Sequence, residues 1–356
     1  MKKITALMLS ALMLSGCSTK PAPAPTLNPD APPSASMTVE EKVGQMFMVH
    51  ASALTDEMLP EKQPGAILMF AADLQDLTKA QVIEKTDAYR DKIKYPPFIA
   101  VDEEGGTVVR VSSNPNLAPE KYKSPQEYLA EGGLELINSN AREKSELLLS
   151  LGINMNLAPV ADISQDPDTF IYDRTLGKGA DETAQYIAEV VGQMKSVGIA
   201  SCLKHFPGYG GNVDTHTGMA IDTRPLSHLR QNDFLPFKSG INAGATAVLV
   251  SHNIINDIDP SLPASLSPSV HDLLRTELGF NGLIITDDMA MAAATGYSEP
   301  YKKAVLSGND IIITADFETA YNEVLTAVKS GEIPMEIIDD AADRIIRAKQ
   351  ALGLVN

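Results

Sequence analysis

One aspartate and one histidine have the types and spacing required for proton transfer. Asp214 and His216 are separated by a single residue. A histidine titrates close to neutral pH, and a neighbouring aspartate favours its protonated form and fixes one tautomer. The pair could therefore give a proton to a leaving oxygen and later take one from water. Two other interpretations remain at this point: a turn pair without chemistry, and a metal site that includes His205.

Other charged residues directly follow short apolar runs of the sequence. Each of them alone fits a structural ion pair. Several charges immediately after apolar runs would be costly inside a closed core, so together they predict a polar pocket. The clusters are Asp102-Glu103-Glu104-Gly105-Gly106, Asp162, Asp173-Arg174, Lys204-His205 and Asp287-Asp288.

The elements that must position these residues alternate between short strands and longer helices. Apolar, β-rich runs predict eight strands at residues 45–49, 66–70, 98–101, 154–157, 200–203, 247–250, 283–285 and 311–313. Helical patterns occur at residues 139–151, 181–197, 226–243, 267–278, 299–307 and 335–352. Repeated β–α order with continuously apolar strands indicates a parallel sheet that is buried on both faces.

Eight such units predict an α/β fold, a (β/α)8 TIM barrel with insertions that forms a single catalytic domain. A doubly wound open sheet is the alternative. Helix-start signals support the register, because Thr38 and Glu41 form a predicted capping box and Ser267 precedes Pro268 as a predicted cap. The loops after barrel strands form the open end, so we expect the charged clusters to converge there.

Composition limits the classes of partner. Hydrophobic residues make up 44% and charged residues 21% of the chain, which is typical of a globular protein with a large core. The formal net charge is -17, and so acidic a surface repels phosphate backbones, so we expect no nucleic-acid partner. Cys17 and Cys202 are the two cysteines, too few for a disulfide framework and without a zinc-type cluster; Cys202 is expected in the core.

The amino-terminal segment predicts export. A cationic start precedes an apolar run at residues 4–14 that is shorter than a membrane-spanning helix. The following Leu14-Ser15-Gly16-Cys17 resembles a bacterial lipobox, which implies removal of the signal peptide, residues 1–16, and lipidation of Cys17. Residues 17–36 are rich in proline and alanine and predict an extended tether before a folded domain at residues 37–356. We expect an extracytoplasmic protein that its lipid attaches to a membrane, the outer membrane in a diderm host.

Four motifs occur along the chain in an order that points to a family. They are Thr38-Val39-Glu40-Glu41-Lys42-Val43-Gly44-Gln45, Asp102-Glu103-Glu104-Gly105-Gly106, Lys204-His205-Phe206-Pro207-Gly208-Tyr209-Gly210-Gly211 with the Asp214-Thr215-His216 that follows, and Gly279-Phe280-Asn281-Gly282 leading into Thr286-Asp287-Asp288-Met289. Together they resemble glycoside hydrolase family 3, and in particular its β-N-acetylglucosaminidase branch. The resemblance covers residues 37–354 and implies a retaining mechanism through a covalent glycosyl-enzyme, without a metal or organic cofactor.

The resemblance also implies roles for individual residues. Asp287 would be the nucleophile, with the adjacent Asp288 as its rival, and Asp214 and His216 would be the acid/base dyad. The nonreducing sugar would be contacted by Asp102, Arg110, Arg174, Lys204 and His205. In that set the aspartate would accept hydrogen bonds from hydroxyl groups, while the cations and the histidine would donate them. The alternative for Arg174 is an ion pair with Asp173 that orders the loop.

One residue departs from the pattern of the branch, because Tyr209 stands where a histidine is usual. Tyrosine titrates at about pH 10 and cannot carry protons at neutral pH, so substrate preference or loop motion is open to question. The predicted activity is an exo-acting β-N-acetylhexosaminidase whose partners are β-N-acetylglucosaminide glycans or muropeptides. The alternatives are a β-glucosidase or β-xylosidase, which usually has a carboxylate acid/base and a further domain, a glycoside phosphorylase, and a non-catalytic glycan-binding lipoprotein of the envelope.

Overall fold

The computed structural model describes residues 32–211, 218–294 and 296–355, and Pro33–Asn356 form one compact unit. Its ten strands within those ranges are β1 (Phe47–His50), β2 (Ala66–Leu68), β3 (Phe98–Val101), β4 (Met155–Asn156), β5 (Ala200–Phe206), β6 (Ile221–Asp222), β7 (Ala247–Val250), β8 (Ile254–Ile255), β9 (Leu283–Thr286) and β10 (Ile312–Thr314). Strands β6 and β8 pair with each other outside the main sheet. The other eight strands correspond to the eight predicted ones.

These eight strands form a parallel sheet that closes on itself. The order is β10-β1-β2-β3-β4-β5-β7-β9, and β10 pairs with β1 through Phe47 and Ile312. At the other end, Ile285 of β9 forms a parallel bridge with Ile311, and the Thr286 amide donates to the Ile311 carbonyl at 3.0 Å. Strands β9 and β10, at the two ends of this order, therefore meet. The predicted TIM barrel is confirmed, and the doubly wound open sheet is wrong because it would leave these two edges apart.

Helices surround the barrel. They are α1 (Val39–Gln45), α2 (Met58–Lys62), α3 (Ala71–Leu74), α4 (Lys79–Lys92), α5 (Pro125–Ser150), α6 (Ala180–Val197), α7 (Leu226–Gln231), α8 (Phe234–Ala243), α9 (Pro268–Asp272), α10 (Pro300–Ser307), α11 (Phe317–Ser330) and α12 (Met335–Ala351). A π-helical turn, Leu273–Glu277, extends α9, and α5 is kinked at Gly132 and Gly133. Among the described residues, every helix is too short or too polar to cross a bilayer.

The strands are apolar on both faces because each face meets a different part of the core. Along β3 and β5, Ala100 and Cys202 belong to one buried cluster, whereas Ile99 and Leu203 belong to another. Both clusters also contain helix residues, the first from α11 and α12 and the second from α6. Successive residues of a strand point to opposite faces of the sheet, so each strand contributes to both parts of the core. Cys202 is fully buried as predicted, and burial raises the pKa of its thiol to about 12.

Most helix predictions agree with the structure, with two local differences. The capping box of α1 is present, since the Glu41 amide donates to Thr38 Oγ1 at 3.2 Å and the Thr38 amide donates to Glu41 Oε2 at 2.9 Å. The helix predicted at 226–243 is two helices, because Asn232 leaves the helical region with φ -127° and ψ -76°. Ser267 and Pro268 stand at the predicted N-cap and first helical positions of α9, but the Ser267 side chain makes no cap hydrogen bond.

Helix α12 seals the amino-terminal end of the barrel. Its Lys349 is fully buried and donates to Gln45 Oε1 at 2.6 Å, just before β1, and to the Tyr95 carbonyl at 3.3 Å, just before β3. Its Arg344 donates to Asp310 Oδ1 at 2.7 Å, just before β10. Because all three partners precede strands, α12 covers the end of the barrel opposite the loops that follow the strands.

The folded chain begins slightly before the predicted boundary at residue 37. Ser34 is 1% exposed, and its amide donates to Asp343 Oδ1 on α12 at 2.9 Å. Ser34 is therefore packed against the sealed end of the barrel, although it lies within the stretch predicted as a tether. The proline- and serine-rich composition of this stretch cannot reveal a contact with a helix about 300 residues away in sequence.

Candidate active site

A polar cavity of about 540 Å³ opens at the carboxyl ends of the barrel strands. This volume suits a sugar, since small-molecule pockets typically measure about 300–1,000 Å³. Its charged lining residues are Asp102, Glu104, Arg110, Asp173, Arg174, Lys204, His205, Asp287 and Asp288, and its aromatic ones are Phe70, Phe170 and Tyr209. All five predicted sugar-binding residues and the predicted nucleophile thus line one cavity, as expected from their positions after strands, while their chemical roles stay predictions.

Glu104 is the centre of the charged cluster. Its carboxylate accepts from Arg174 through two bonds, Nε to Oε2 at 2.9 Å and Nη2 to Oε1 at 2.8 Å. Lys204 Nζ lies 2.6 Å from the same Oε1 and donates to Asp102 Oδ1 at 2.7 Å. The Glu104 and Lys204 side chains are each 3% exposed. Arg174 therefore pairs with Glu104, and the predicted alternative of a structural pair with Asp173 is not what the structure contains.

The ionic states of this cluster follow from its pairing. Burial alone would raise the pKa of the Glu104 carboxyl, but the charges of Arg174 and Lys204 outweigh it and hold that pKa well below its usual range. Burial alone would likewise lower the pKa of Lys204, yet Asp102 and Glu104 raise it. Glu104 and Lys204 are therefore both charged at neutral pH. The cluster offers fixed donors and acceptors to hydroxyl groups, with Asp102 as the most exposed acceptor at 15%.

A second aspartate orients His205. Asp162 Oδ2 lies 2.7 Å from His205 Nδ1 and accepts the His205 amide at 3.1 Å, while Oδ1 accepts the Tyr209 amide at 2.7 Å. On the other side of the ring, Nε2 lies 3.1 Å from Arg174 Nη2. This arrangement fits an imidazole that donates from Nδ1 and accepts at Nε2. Both ring nitrogens are engaged, so the predicted donation from His205 to a sugar hydroxyl would require one of these partners to be exchanged.

The segment that carries Arg110 is held by Glu103. Glu103 is fully buried after β3, and its Oε2 accepts the amides of Arg110 at 2.7 Å and Val111 at 2.6 Å. The guanidinium of Arg110 lies 5.7 Å from the centre of the Phe70 ring, with its Nη2 3.8 Å from Asp102 Oδ2. Arg110 thus reaches the cavity as predicted, although its link to Asp102 is longer than a direct hydrogen bond.

The two adjacent aspartates after β9 have different surroundings. Asp288 Oδ2 lies 2.9 Å from Nε2 of His50, the last residue of β1, and Asp288 Oδ1 accepts a hydrogen bond from the Ala290 amide at 3.0 Å. Burial alone would raise the pKa of the Asp288 carboxyl. The contacts with His50 and the Ala290 amide outweigh burial, so the pKa is lower than usual. Asp287 uses Oδ1 to accept the Asp288 amide at 2.9 Å, and its Oδ2 accepts no hydrogen bond from the described residues. Asp287 is therefore the less engaged carboxylate.

Three predicted residues lie outside the described part of the chain. Asp214 and His216, the predicted acid/base dyad, fall in the undescribed segment 212–217, and Cys17, the predicted lipidation site, falls in the segment 1–31. Their roles stay predictions. The metal interpretation of the dyad also stays untested, since two of its three ligands are in that segment.

Sequence reasoning missed the supporting residues. Glu104 and Asp162 were recognised only as members of charged clusters, yet one joins two cations and the other orients His205. His252, just after β7, is fully buried and lies behind the site, with Nε2 2.9 Å from the Asp288 carbonyl. Their positions directly after strands were the available signal. Which partner each would take depends on loop geometry that spacing does not reveal.

Comparisons with known proteins agree with this architecture. The model of the glycosyl hydrolase family 3 N terminal domain matches residues 38–348. A β-hexosaminidase of Stenotrophomonas maltophilia is 35% identical over 259 residues, which is 71% of this chain and 76% of the relative. The β-hexosaminidase LpqI of Mycobacterium tuberculosis is 31% identical over 268 residues, which is 71% of this chain and 68% of the relative.

Solved structures show the same relationship. A family 3 β-N-acetylglucosaminidase from a Paenibacillus species superposes with a TM-score of 0.83 at 29% identity; the match covers 90% of this chain but only 63% of that longer chain. The structure of M. tuberculosis LpqI superposes with a TM-score of 0.80 at 28% identity, and the match covers 89% of this chain and 96% of the LpqI chain. The family match across the whole barrel, together with a charged cavity at the carboxyl ends of its strands, shows that this chain is a glycoside hydrolase that belongs to glycosyl hydrolase family 3.

Proposed function

We propose that the protein is a retaining, exo-acting β-N-acetylhexosaminidase that removes a terminal β-linked N-acetylglucosamine. The observation that carries this proposal is the placement of Asp287 in one cavity with the fixed charges of Asp102, Lys204 and Arg174. Relatives named β-hexosaminidase that align along most of the chain support the choice of sugar.

The reaction would proceed in two steps. Asp287 attacks the anomeric carbon, the bond from that carbon to the leaving oxygen breaks, and His216 gives its proton to that oxygen. His216, now neutral, takes a proton from water, the water oxygen attacks the anomeric carbon, and the carboxylate of Asp287 is released. Asp214 would stabilise the imidazolium form of His216, which is present before the first step and again after the second. Two displacements leave the configuration of the sugar unchanged.

Asp287 is the better nucleophile of the two aspartates because of what its neighbour contacts. Both oxygens of Asp288 are engaged, by His50 and by the Ala290 amide. Asp287 is held in place through one oxygen while the other accepts no hydrogen bond from the described residues. A nucleophile requires an orientated carboxylate with an oxygen available for attack, and Asp287 meets that requirement.

The cellular setting is also a proposal. The predicted signal peptide and the lipobox-like Cys17 favour a lipid-anchored protein outside the cytoplasm, where terminal N-acetylglucosamine occurs on cell-wall fragments. Mass spectrometry of the mature amino terminus tests the anchor. We expect residue 17 to be the first residue and to carry acyl chains, and an unmodified terminus elsewhere would contradict the anchor without affecting the proposed activity.

The activity is tested with 4-nitrophenyl β-N-acetylglucosaminide and β-glucoside as parallel substrates of the full-length protein. We expect turnover of the acetylglucosaminide, with the product released initially as the β anomer. His216→Ala should lower kcat/KM by roughly 100-fold to 10,000-fold, with a larger loss for poorer leaving groups because these depend more on protonation. His228→Ala, a histidine outside the cavity lining, is the matched control.

The other outcomes identify the alternatives. Preference for the β-glucoside would place the protein with β-glucosidases, and release of a sugar phosphate when phosphate is present would identify a phosphorylase. An initial α product would contradict the retaining mechanism. Trapping with a slow fluorinated glycoside should label the peptide at Asp287. A label at Asp288 would reverse the assignment of the two aspartates, and absence of turnover by folded protein would favour a binding role.

A further inference from the structure

A row of three rings leads from the charged cluster to the rim of the cavity. His205 and Tyr209 meet edge to face with their centroids 5.4 Å apart, and Tyr209 and Phe170 lie 5.8 Å apart with an interplanar angle of 49°. The first two rings are buried and the third is exposed: His205 is 5% exposed, Tyr209 2% and Phe170 40%. Phe170 is thus the end of a packed aromatic row that reaches solvent.

Phe170 differs from the other aromatic residues of the cavity lining. Phe70 is covered on two sides, by the Arg110 guanidinium at 5.7 Å and by the His50 ring at 4.8 Å. Tyr209 is almost completely buried between its neighbours. Phe170 is therefore the most exposed aromatic ring of this cavity within the described part of the chain.

The backbone around Phe170 is fixed rather than loose. Thr169 donates through its amide and its hydroxyl to the Asp166 carbonyl, at 3.2 Å and 2.9 Å, and its hydroxyl lies 2.7 Å from that of Ser164. On the other side, the Tyr172 amide donates to the Thr169 carbonyl at 3.2 Å. A ring held in place at a cavity rim while still partly exposed is suited to binding, because its apolar face is not satisfied by the fold itself.

The two parts of the cavity suit two different parts of a glycan. Fixed charges such as those of Asp102 and Lys204 match the hydroxyl groups of one sugar ring, whereas a flat aromatic ring matches the C–H face of another. The chain contains no tryptophan, so an aromatic platform must be a phenylalanine or a tyrosine. We propose that Phe170 is the platform of a leaving-group subsite, and that this subsite binds a second pyranose ring linked to the sugar that is released.

This inference rests on the proposed function and specifies its substrate class. The substrates would be disaccharides or longer glycans, for which Phe170 contributes affinity, in preference to glycosides of small alcohols. Methyl β-N-acetylglucosaminide and N,N'-diacetylchitobiose separate the two cases, because both release N-acetylglucosamine but only the second has a sugar as leaving group.

The test compares kcat and KM of the wild type and Phe170→Ala on these two substrates. For the disaccharide we expect KM to rise and kcat/KM to fall about tenfold, while kcat/KM for the methyl glycoside changes less than about twofold. Phe170→Tyr should restore the disaccharide preference. Leu306→Ala is the matched control, since Leu306 is also 40% exposed but lies on α10 and does not line the cavity.

Two kinetic outcomes would overturn the subsite. An equal loss on both substrates would mean that Phe170 serves a step common to all substrates, and no loss on either would mean that the ring is not used. If the wild type hydrolyses neither substrate, the proposed function fails, and calorimetric binding of N-acetylglucosamine and the disaccharide then decides the subsite. Tighter binding of the disaccharide that Phe170→Ala abolishes would support the platform, whereas equal affinities in wild type and variant would contradict it.

Discussion

At the scale of single residues, the site depends on one carboxylate that keeps two cations together. Glu104 is nearly inaccessible to water and contacts both Arg174 and Lys204. Its negative charge therefore compensates the two positive charges at a position where water is excluded. Removing one partner of a buried ion pair leaves a charge without compensation, and the cost is usually larger than the net benefit of the pair.

Glu104→Gln is therefore expected to be damaging in two ways. The two cations would repel each other, which should lower the free energy of unfolding by roughly 3 kcal/mol and displace Arg174 enough to reduce kcat/KM by about 100-fold. Urea unfolding and hydrolysis kinetics measure the two effects. Glu120→Gln, at an exposed glutamate, is the control. Unchanged stability together with unchanged kinetics would show that the bridge is dispensable.

The sequence predicted which residues enter the site better than it predicted their partners. Asp102, Lys204 and Asp287 could be placed because each follows or ends an apolar strand, and barrel geometry brings such positions together. The contact between His50 and Asp288 could not be predicted, because it joins the ends of β1 and β9, which the chain separates by more than 200 residues. The choice of Glu104 over Asp173 as the partner of Arg174 likewise depends on side-chain directions that spacing does not specify.

At the scale of elements, the loop that follows β5 needs a residue without a side chain. Gly208 has φ of +117°, and its amide donates to the His205 carbonyl at 2.8 Å. A Cβ at this position would lie 2.5 Å from Asp233 Oδ1 and 2.9 Å from Asp233 Cβ. Both the backbone conformation and the available space therefore exclude other residues without movement of the loop.

Gly208→Ala should consequently destabilise the protein and disturb catalysis together. We expect the free energy of unfolding to fall by about 2 kcal/mol and kcat/KM to fall as His205 shifts. The control is Gly192→Ala within α6, where a Cβ meets no atom within 4 Å and better helix propensity should leave stability unchanged or raise it. Equal effects of the two substitutions on thermal unfolding and kinetics would contradict this explanation.

The order of elements was predictable, whereas their ends were less so. Strand β5 continues to Phe206, beyond the predicted end at 203, because charged Lys204 and His205 interrupt the apolar pattern although both lie in the strand. Helix 226–243 was predicted as one helix because its apolar periodicity continues through Asn232, where the backbone turns. Hydrophobic pattern therefore identified the elements, while polar residues that serve the site or a turn obscured their boundaries.

At the scale of the whole molecule, the sealed end of the barrel contains a lysine that has no acidic partner among the described residues. Lys349 donates to Gln45 Oε1 and the Tyr95 carbonyl, and its ammonium group lies 5.5 Å from the centre of the Phe98 ring. Burial holds the pKa of Lys349 well below its usual value. Between that folded-state pKa and the unfolded value of about 10.4, the unfolded chain binds more protons, so the contribution of Lys349 to stability increases with pH.

Lys349→Met removes this dependence. At pH values below the folded-state pKa, where the lysine is charged in both states, we expect the variant to be more stable than the wild type by about 1 kcal/mol or more. The difference in the free energy of unfolding between variant and wild type should become smaller as pH rises, because Lys349 is then neutral in the folded wild type. Urea unfolding between about pH 6 and 9 tests this, with exposed Lys79→Met as control. A difference that is constant with pH would contradict it.

The contact of Ser34 with α12 places the first described residues of the fold at the sealed end of the barrel. Ser34 lies at the amino ends of the strands, while the cavity opens at their carboxyl ends. A glycan that enters from the carboxyl ends can therefore reach Asp287 without passing the beginning of the folded part.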